Sequence, residues 1–183
     1  MPPSMIVLCC VAGVVLLWFL LTYNGLIGRN NRCKNAFSSI DVNLKKRHDL
    51  IPNLVAACKG YMEHERSLLA EIAQLRESAV KASGVTPERA AIESRLTGLL
   101  GQIQIRAEAY PDLKAGRNFM HLQRTLTELE EQISASRRAY NAAVEMFNNS
   151  VEMVPSSVVA SLFSYEPRSF FRADSTERES VPV

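Results

Sequence analysis

A long uncharged run near the start of the chain constrains its fold more than any other feature. No charged side chain occurs from Met5 to Leu21, and the run continues without charge to Ile27. A helix of about 23 such residues measures about 34 Å, which is enough to cross roughly 30 Å of hydrocarbon. A cleaved signal peptide would carry a basic region ahead of its apolar core, and residues 1–4 have no basic side chain. We therefore expect a retained transmembrane helix over residues 5–27, after a short extracytoplasmic N-terminus at 1–4.

The charges on either side of this run predict its orientation. No Lys or Arg precedes it, whereas Arg29, Arg32 and Lys34 follow it directly. Positively charged flanks of a membrane span stay on the cytoplasmic side. The N-terminus is therefore predicted to lie outside the cell membrane, and the rest of the chain in the cytoplasm.

The composition of the chain is that of a single-span protein with one helical domain. Apolar residues make up 47% and charged residues 22%, so the chain is neither disordered nor a many-span protein. About 130 residues remain for a soluble part, which is near the usual size of one domain. The net charge is +2, and no basic stripe is interleaved with aromatic residues, so we expect no nucleic-acid partner.

An apolar stripe predicts that the spanning helix continues as the first helix of a bundle. Its members recur at spacings of seven, four, three and four residues, which places them on one side of a helix. They are Leu26, Cys33, Phe37, Ile40 and Leu44.

The stretch from Ile40 to Tyr61 is predicted to turn the chain back on itself. Pro52 disfavours helical geometry at the residue before it, and Asp49 is a good N-cap for a new helix with a proline in its first turn. A kinked but continuous helix is the alternative. A hairpin gives the bundle a basic tip far from the membrane, made of Lys45, Lys46 and Arg47.

Three further amphipathic helices are predicted after this turn. Ser83 and Gly84 end the second helix, while Thr86 as N-cap and Pro87 at the first helical position begin the third. Pro111 ends the third helix. The stripe positions are Leu54, Cys58, Tyr61, Glu65, Leu68, Ile72, Leu75 and Ala79 in the second helix, Ile92, Leu96, Leu99 and Ile103 in the third, and Phe119, Leu122, Leu126, Leu129, Ile133, Ser136, Tyr140, Val144 and Phe147 in the fourth.

These patterns predict an all-α fold in which the transmembrane helix continues into an antiparallel, up-down four-helix bundle over residues 28–154. One length does not fit. A second helix from Leu50 to Ala82 measures about 50 Å, whereas the soluble part of the first helix measures about 31 Å. Either the second helix ends near Glu77, or the turn at Pro52 is shallower than a hairpin.

The segment 155–172 is too apolar to be a linker. A short helix from Ser156 to Ser164, capped by Ser156, presents an apolar patch for self-association or lipid contact. This patch is expected to lie on lipid, on the end of the bundle or on a neighbouring subunit. Residues 173–183 form a polar tail. The patch consists of Val158, Val159, Leu162, Phe163, Phe170 and Phe171.

The sequence contains no catalytic, cofactor-binding or metal-ligating constellation. None of its three histidines follows a Glu or Asp at the spacing that a helical di-iron site needs. It also lacks a glycine-rich phosphate loop, a nucleophile elbow and a Cys-x-x-Cys pair. The four cysteines form no disulfide or metal framework, and we expect Cys33 and Cys58 to act as small apolar residues. We expect no enzyme activity, no metal and no cofactor.

Two charged residues fall on the predicted stripes. Glu65 in the second helix and Arg106 in the third occupy core-type positions, where an unpaired charge costs several kcal/mol. Each is therefore predicted to find an opposite charge or a wet edge. The alternative is that each side chain reaches solvent at the margin of the bundle.

Several short segments resemble the LemA family, and the resemblance runs over most of the chain from Tyr23 onward. It implies an N-terminal membrane anchor and a four-helix cytoplasmic bundle, and it brings no catalytic residues. It also favours a single-pass bacterial inner-membrane protein. The segments that carry it are 23–26 (YNGL), 39–42 (SIDV), 44–47 (LKKR), 49–55 (DLIPNLV), 59–61 (KGY), 107–114 (AEAYPDLK), 126–130 (LTELE), 139–141 (AYN), 162–163 (LF) and 166–167 (EP).

Two functions from different classes follow from these expectations. The first is a non-enzymatic homo-oligomeric scaffold that organises or shapes membrane, because one span feeds directly into a bundle with an apolar C-terminal patch. The second is a membrane-anchored adaptor that recruits another protein through its bundle or C-terminal segment. The expected partners are membrane lipid and further copies of the chain, with an unidentified protein partner for the adaptor.

Overall fold

A computed structural model describes residues 2–171, and this part of the chain consists of helices joined by short turns, without a β-strand. The predicted polar tail at 173–183 lies outside the described residues. The helices are α1 (Pro3–Lys59), a short 3-10 helix (Glu63–Glu65), α2 (Arg66–Lys81), α3 (Pro87–Ala107), α4 (Pro111–Ala115), α5 (Arg117–Glu152) and α6 (Ser156–Leu162).

The predicted hairpin at Pro52 is wrong, and the alternative of a continuous helix is correct. Helix α1 contains 57 residues and carries Pro52 inside it. Residues on both sides of the proline, from Leu44 through Ile51 to Cys58, are buried on one face of the same helix. The basic tip therefore does not exist as predicted, because its residues lie in the middle of a helix.

A hydrogen bond from another helix explains why Pro52 does not end α1. Proline has no backbone N–H, so the carbonyl four residues earlier, that of His48, loses its usual intrahelical donor. The Arg76 side chain on α2 donates its Nε–H to this carbonyl at 3.2 Å. The group that the proline leaves unpaired is thus satisfied by tertiary structure.

The real turn lies further along the chain. Helix α1 ends at Lys59, and the backbone N–H groups of Tyr61 and Met62 both donate to the carbonyl of Cys58, at 3.0 and 2.9 Å. Met62 is fully buried while Tyr61 is half exposed, so Tyr61 does not hold the stripe position predicted for it. The length conflict disappears, because the second helix has only 16 residues and measures about 24 Å.

The remaining boundaries follow the predicted signals closely. The Thr86 side chain caps α3 by accepting a hydrogen bond from the Arg89 N–H at 3.2 Å, with Pro87 in the first turn. Gly84 adopts a φ of +77°, a conformation that suits glycine and ends the preceding segment. The short α6 begins at Ser156, but Ser156 is not its cap: its hydroxyl donates to the Met153 carbonyl at 3.0 Å.

The described chain divides into two compact units, each with its own core. The first comprises residues 2–37 and 139–169, and its core is formed by Leu26, Val159 and Ala160 with Phe19, Tyr23, Val151 and Tyr165 around them. The second comprises residues 38–138 with 170–171. Its core draws apolar side chains from α1, α2, α3, α4 and α5, among them Ile51, Cys58, Ile72, Leu96, Ile103, Leu113 and Phe119.

The bond between Arg76 and the His48 carbonyl makes a double-mutant cycle informative. We expect Arg76→Ala to lower the free energy of unfolding by about 1 kcal/mol, the typical net contribution of such a hydrogen bond. In a Pro52→Ala background the loss should nearly vanish, because an alanine at this position restores the intrahelical donor. Urea unfolding in mild detergent measures both values, and Arg66→Ala, an exposed arginine at the start of α2, is the control. Equal losses in the two backgrounds would contradict this explanation.

Candidate functional site

A buried charge cluster lies inside the second unit, formed by Arg47, His48, Glu93, Thr97 and Glu130. The side chains of Arg47 and Glu93 are both 0% exposed and form an ion pair through Nη2 and Oε2. Nη1 of Arg47 donates to Thr97 Oγ1 at 2.7 Å and to Glu130 Oε1 at 2.5 Å. His48 Nε2 lies 3.1 Å from Glu93 Oε1. One guanidinium therefore joins α1 to both α3 and α5.

The spacing of residues in the sequence indicates the buried position of Arg47. Ile40, Leu44, Arg47, Ile51, Leu54 and Cys58 follow one another at spacings of four, three, four, three and four. That spacing is unbroken across Pro52 only if Arg47 is accepted as a member of the buried stripe. Glu93 stands three residues before Leu96 in the same way on α3. The residue spacing that indicates the continuous helix is therefore the same spacing that indicates the buried charge cluster.

The electrostatics of the cluster favour the ionised form of Glu93. Burial by itself raises the pKa of Glu93, but the hydrogen bond from His48 and the charge of Arg47 outweigh it, so the pKa is lowered from its usual value. Burial and the nearby charge of Arg47 lower the pKa of Arg137 on α5, while Glu130 and Glu93 act in the opposite direction. The Arg137 guanidinium also lies 5.0 Å from the centre of the Phe171 ring. Two guanidiniums thus face two carboxylates.

This arrangement is suited to specifying structure rather than to chemistry. Neither member of the central pair is open to solvent, so no substrate reaches it. Every polar contact described above is made within the unit. A buried ion pair fixes the relative register of helices, although replacing it by apolar residues is often neutral for stability.

A small cavity borders the cluster. It has a volume of about 210 Å³, and Thr97 and Glu130 contribute to its lining. Ligand pockets usually measure about 300 to 1,000 Å³ and combine apolar walls with several convergent polar groups. The rest of its lining is mainly apolar and includes Leu54, Leu100, Ile103, Phe119 and Leu126. The cavity is therefore a weak candidate for a small-molecule site.

The two charged stripe residues form an ion pair with each other. Arg106 Nη1 contacts Glu65 Oε2. The Arg106 side chain is 46% exposed and that of Glu65 is 17% exposed. They lie at the edge of the second unit, where an ion pair adds little stability. Their stripe positions gave no indication that each would pair with the other.

The predicted C-terminal patch is divided by the structure. Val159 and Phe171 are buried in the cores of the fold, so they are not available for contact with lipid or with another subunit. Val158, Leu162, Phe163 and Phe170 remain exposed. Phe163 packs by its ring on Tyr23 and Phe19, with centroid distances of 4.4 and 6.1 Å.

Polar contacts hold the segment that follows α6 in the first unit. The Arg168 backbone N–H donates to Asn148 Oδ1 at 2.8 Å, and the Asn148 side chain donates to the Arg168 carbonyl at 2.9 Å. The Arg168 guanidinium donates to Asn30 Oδ1 on α1 at 2.7 Å, and the Tyr140 hydroxyl donates to the Ser169 carbonyl at 3.0 Å. Local sequence patterns do not indicate these contacts, because Asn30 and Arg168 lie 138 residues apart in the chain.

The cysteines occupy places that fit small apolar residues. Cys33 and Cys58 are buried and free, and burial raises the pKa of the Cys58 thiol to about 11. A thiol of this kind is protonated at neutral pH and unreactive. Across the described residues 2–171, no group of three potential metal ligands comes together.

The buried pair gives a direct mutational prediction. Arg47→Ala leaves Glu93 buried without its main partner, so we expect the free energy of unfolding to fall by about 3–5 kcal/mol. The neighbouring Lys46 is exposed, and Lys46→Ala should change it by less than about 0.5 kcal/mol. Chemical unfolding of the two variants in the same detergent measures the difference. Similar losses for both would show that Arg47 is not a buried structural charge.

The lowered pKa of Glu93 predicts a loss of stability in acid. A carboxyl group with a depressed folded-state pKa stabilises the fold above its unfolded pKa, near 4.5, and loses that contribution as pH falls through the folded value. We expect the melting temperature to drop below this pH in the native chain and to depend less on pH in Glu93→Gln. Parallel melting curves at neutral and acidic pH measure the effect. An equal acid-induced drop in both proteins would contradict it.

Comparison with known proteins identifies relatives of the chain. The model of the LemA family matches residues 36–183. Protein LemA of Metamycoplasma hominis is 26% identical over 161 residues, covering 86% of this chain and 72% of that protein. Magnetosome protein MamQ 2 of Paramagnetospirillum magneticum is 23% identical over 178 residues, and Magnetosome protein MamQ of Magnetospirillum gryphiswaldense is 22% identical over 177 residues. The chain spans 65% of the length of each of these two magnetosome proteins.

Proposed function

Because the chain belongs to the LemA family, whose model matches most of it, we propose that it is a non-enzymatic, single-pass membrane protein that assembles with further copies of itself into a scaffold. The proposed location is the bacterial inner membrane, with the N-terminus outside and the rest in the cytoplasm. The proposed arrangement of α1, α2, α3 and α5 is an antiparallel, up-down bundle.

One observation carries the membrane-anchored part of this proposal. Within the described residues, one helix, α1, is long and apolar enough to cross a bilayer. Its most apolar 18-residue window has a mean hydropathy of 2.8, and 0% of that window is buried in the protein. Apolar side chains that find no cover in the fold mark a surface for lipid or for another protein, and a helix of this length and hydropathy suits a bilayer. The family match begins at residue 36, so the apolar helix and the family membership are independent observations.

The features of the second unit favour a structural role over an enzymatic one. Its most unusual polar feature is the Arg47–Glu93 ion pair, in which neither side chain is open to solvent. Its cavity of about 210 Å³ is smaller than most ligand sites. Confinement to a membrane raises the local concentration of the chain, so even weak contacts between copies favour assembly.

Extraction and mass measurement test the proposal together. After washing membranes with alkaline carbonate, we expect the native chain to stay in the pellet, and after extraction in mild detergent we expect the mass of several copies. Val15→Arg combined with Leu16→Arg places two charges at the centre of the span, each costing about 2.5–3.5 kcal/mol for insertion. This variant should appear in the carbonate supernatant.

The matched control exchanges the same two residues for each other, Val15→Leu with Leu16→Val, and should remain in the membrane. A native chain that is released by carbonate would contradict the anchor. A native chain that is anchored but strictly monomeric would contradict the scaffold. A complex with a different protein in fixed stoichiometry would replace self-assembly by the adaptor function.

A further inference from the structure

An uncharged segment of the first unit carries an exposed apolar surface next to the membrane helix. From Met153 to Tyr165 the sequence MVPSSVVASLFSY contains no charged residue, although Glu152 precedes it and Glu166 follows it. This segment includes α6. Its large apolar side chains are widely open in the folded chain: Met153 is 62% exposed, Val154 80%, Val158 63% and Leu162 69%.

The contacts of this segment place it at the depth of the span. The Phe163 ring packs on Phe19 and Tyr23, which both belong to the apolar run 5–27. At helical rise, Tyr23 lies about 6 Å and Phe19 about 12 Å before Ile27, the end of that run. Val159 and Ala160 share a core with Leu26. Residues packed at this level of a transmembrane helix lie within the hydrocarbon edge and the headgroup layer.

Two serine hydroxyls and several backbone N–H groups of the segment are bonded within the protein, which suits a medium without water. The hydroxyls of Ser156 and Ser161 each donate to a backbone carbonyl at 3.0 Å, those of Met153 and Val158. The backbone N–H groups that follow α6 are also bonded: Phe163 to Val159, Ser164 to Ser161 and Tyr165 to Ala160, at 3.0 to 3.3 Å. In lipid, an unpaired backbone group costs several kcal/mol, and these donors have internal acceptors.

We infer that residues 153–163 form a second membrane contact, lying in the plane of the bilayer beside the span, with lipid acyl chains covering Val158 and Leu162. Continuity with the span favours lipid over a second copy of the chain as the cover of this surface. Elements of this kind bury their apolar face about 5–10 Å into the boundary between headgroups and acyl chains. The inference rests on the proposed anchor, which places α1 in the membrane.

Quenching of tryptophan fluorescence by brominated phosphatidylcholine tests the inference on the full chain in vesicles. The chain has a single tryptophan, Trp18, in the span. Trp18→Phe removes it, and Leu162→Trp then places the only tryptophan on the proposed surface. The control is Val80→Trp in the same background, an exposed apolar position on α2. We expect bromolipid to quench Leu162→Trp several-fold more than Val80→Trp. Val158→Trp repeats the test if the first variant does not fold.

Each other result overturns the inference in a recognisable way. Emission typical of water without bromolipid quenching means that the surface faces solvent. Blue-shifted emission without quenching means that another copy or another protein covers it. The native chain, which keeps Trp18, distinguishes the two proposals. If bromolipid quenches Trp18 in the native chain but does not quench Leu162→Trp, the anchor stands and only the inference fails. An unquenched Trp18 contradicts the anchor itself.

Discussion

The second unit depends on one buried guanidinium. Arg47 is 0% exposed, and its contacts with Glu93, Thr97 and Glu130 link α1 to α3 and α5. Taking such a charge out of water costs several kcal/mol unless its partners are held in good geometry. Helix α1 must therefore keep an unbroken register from Leu44 to Ile51 for Arg47 to meet its partners. A turn centred near residue 50 would break that register.

At Pro52 the local effect of proline on the backbone competes with a hydrogen bond from another helix. This competition decides which features could be predicted from the sequence. The apolar spacing correctly indicated the buried faces of α1, α3 and α5, and the Thr86–Pro87 pair correctly indicated the start of α3. The rule that proline ends a helix failed because Arg76, 24 residues later, supplies the missing hydrogen bond. Sequence rules for helix ends consider only neighbouring residues, so they do not include a hydrogen-bond donor from another helix. The unbroken spacing through Arg47 indicates the continuous helix, provided that a charged residue is counted as a member of the buried stripe.

The candidate sites were harder to predict than the helices. In α6 the buried pair Val159 and Ala160 lies between exposed residues, so a pattern of apolar residues alone did not separate buried Val159 from exposed Val158. Glu65 and Arg106 were recognised as unusual, but their pairing depends on the turn at Gly60–Met62, which local signals did not indicate. Of the predicted basic tip, the structure buries Arg47 in the charge cluster and leaves Lys45 and Lys46 exposed on α1. The span and the segment around α6 carry runs of exposed apolar side chains, whereas the exposed apolar residues of α2 and α3, such as Val80 and Ile105, stand singly.

The continuity of α1 through Pro52 is the central claim, and one distance tests it directly. Spin labels attached through genetically encoded ketone residues at positions 42 and 59, both exposed, leave the native cysteines intact. A continuous helix separates these positions by 17 residues, or about 26 Å at helical rise. A hairpin centred near residue 50 would bring them to about 10 Å, the distance between packed helix axes. A single distance distribution near the longer value is the predicted result in pulsed electron paramagnetic resonance, and a distribution near the shorter value would contradict the account.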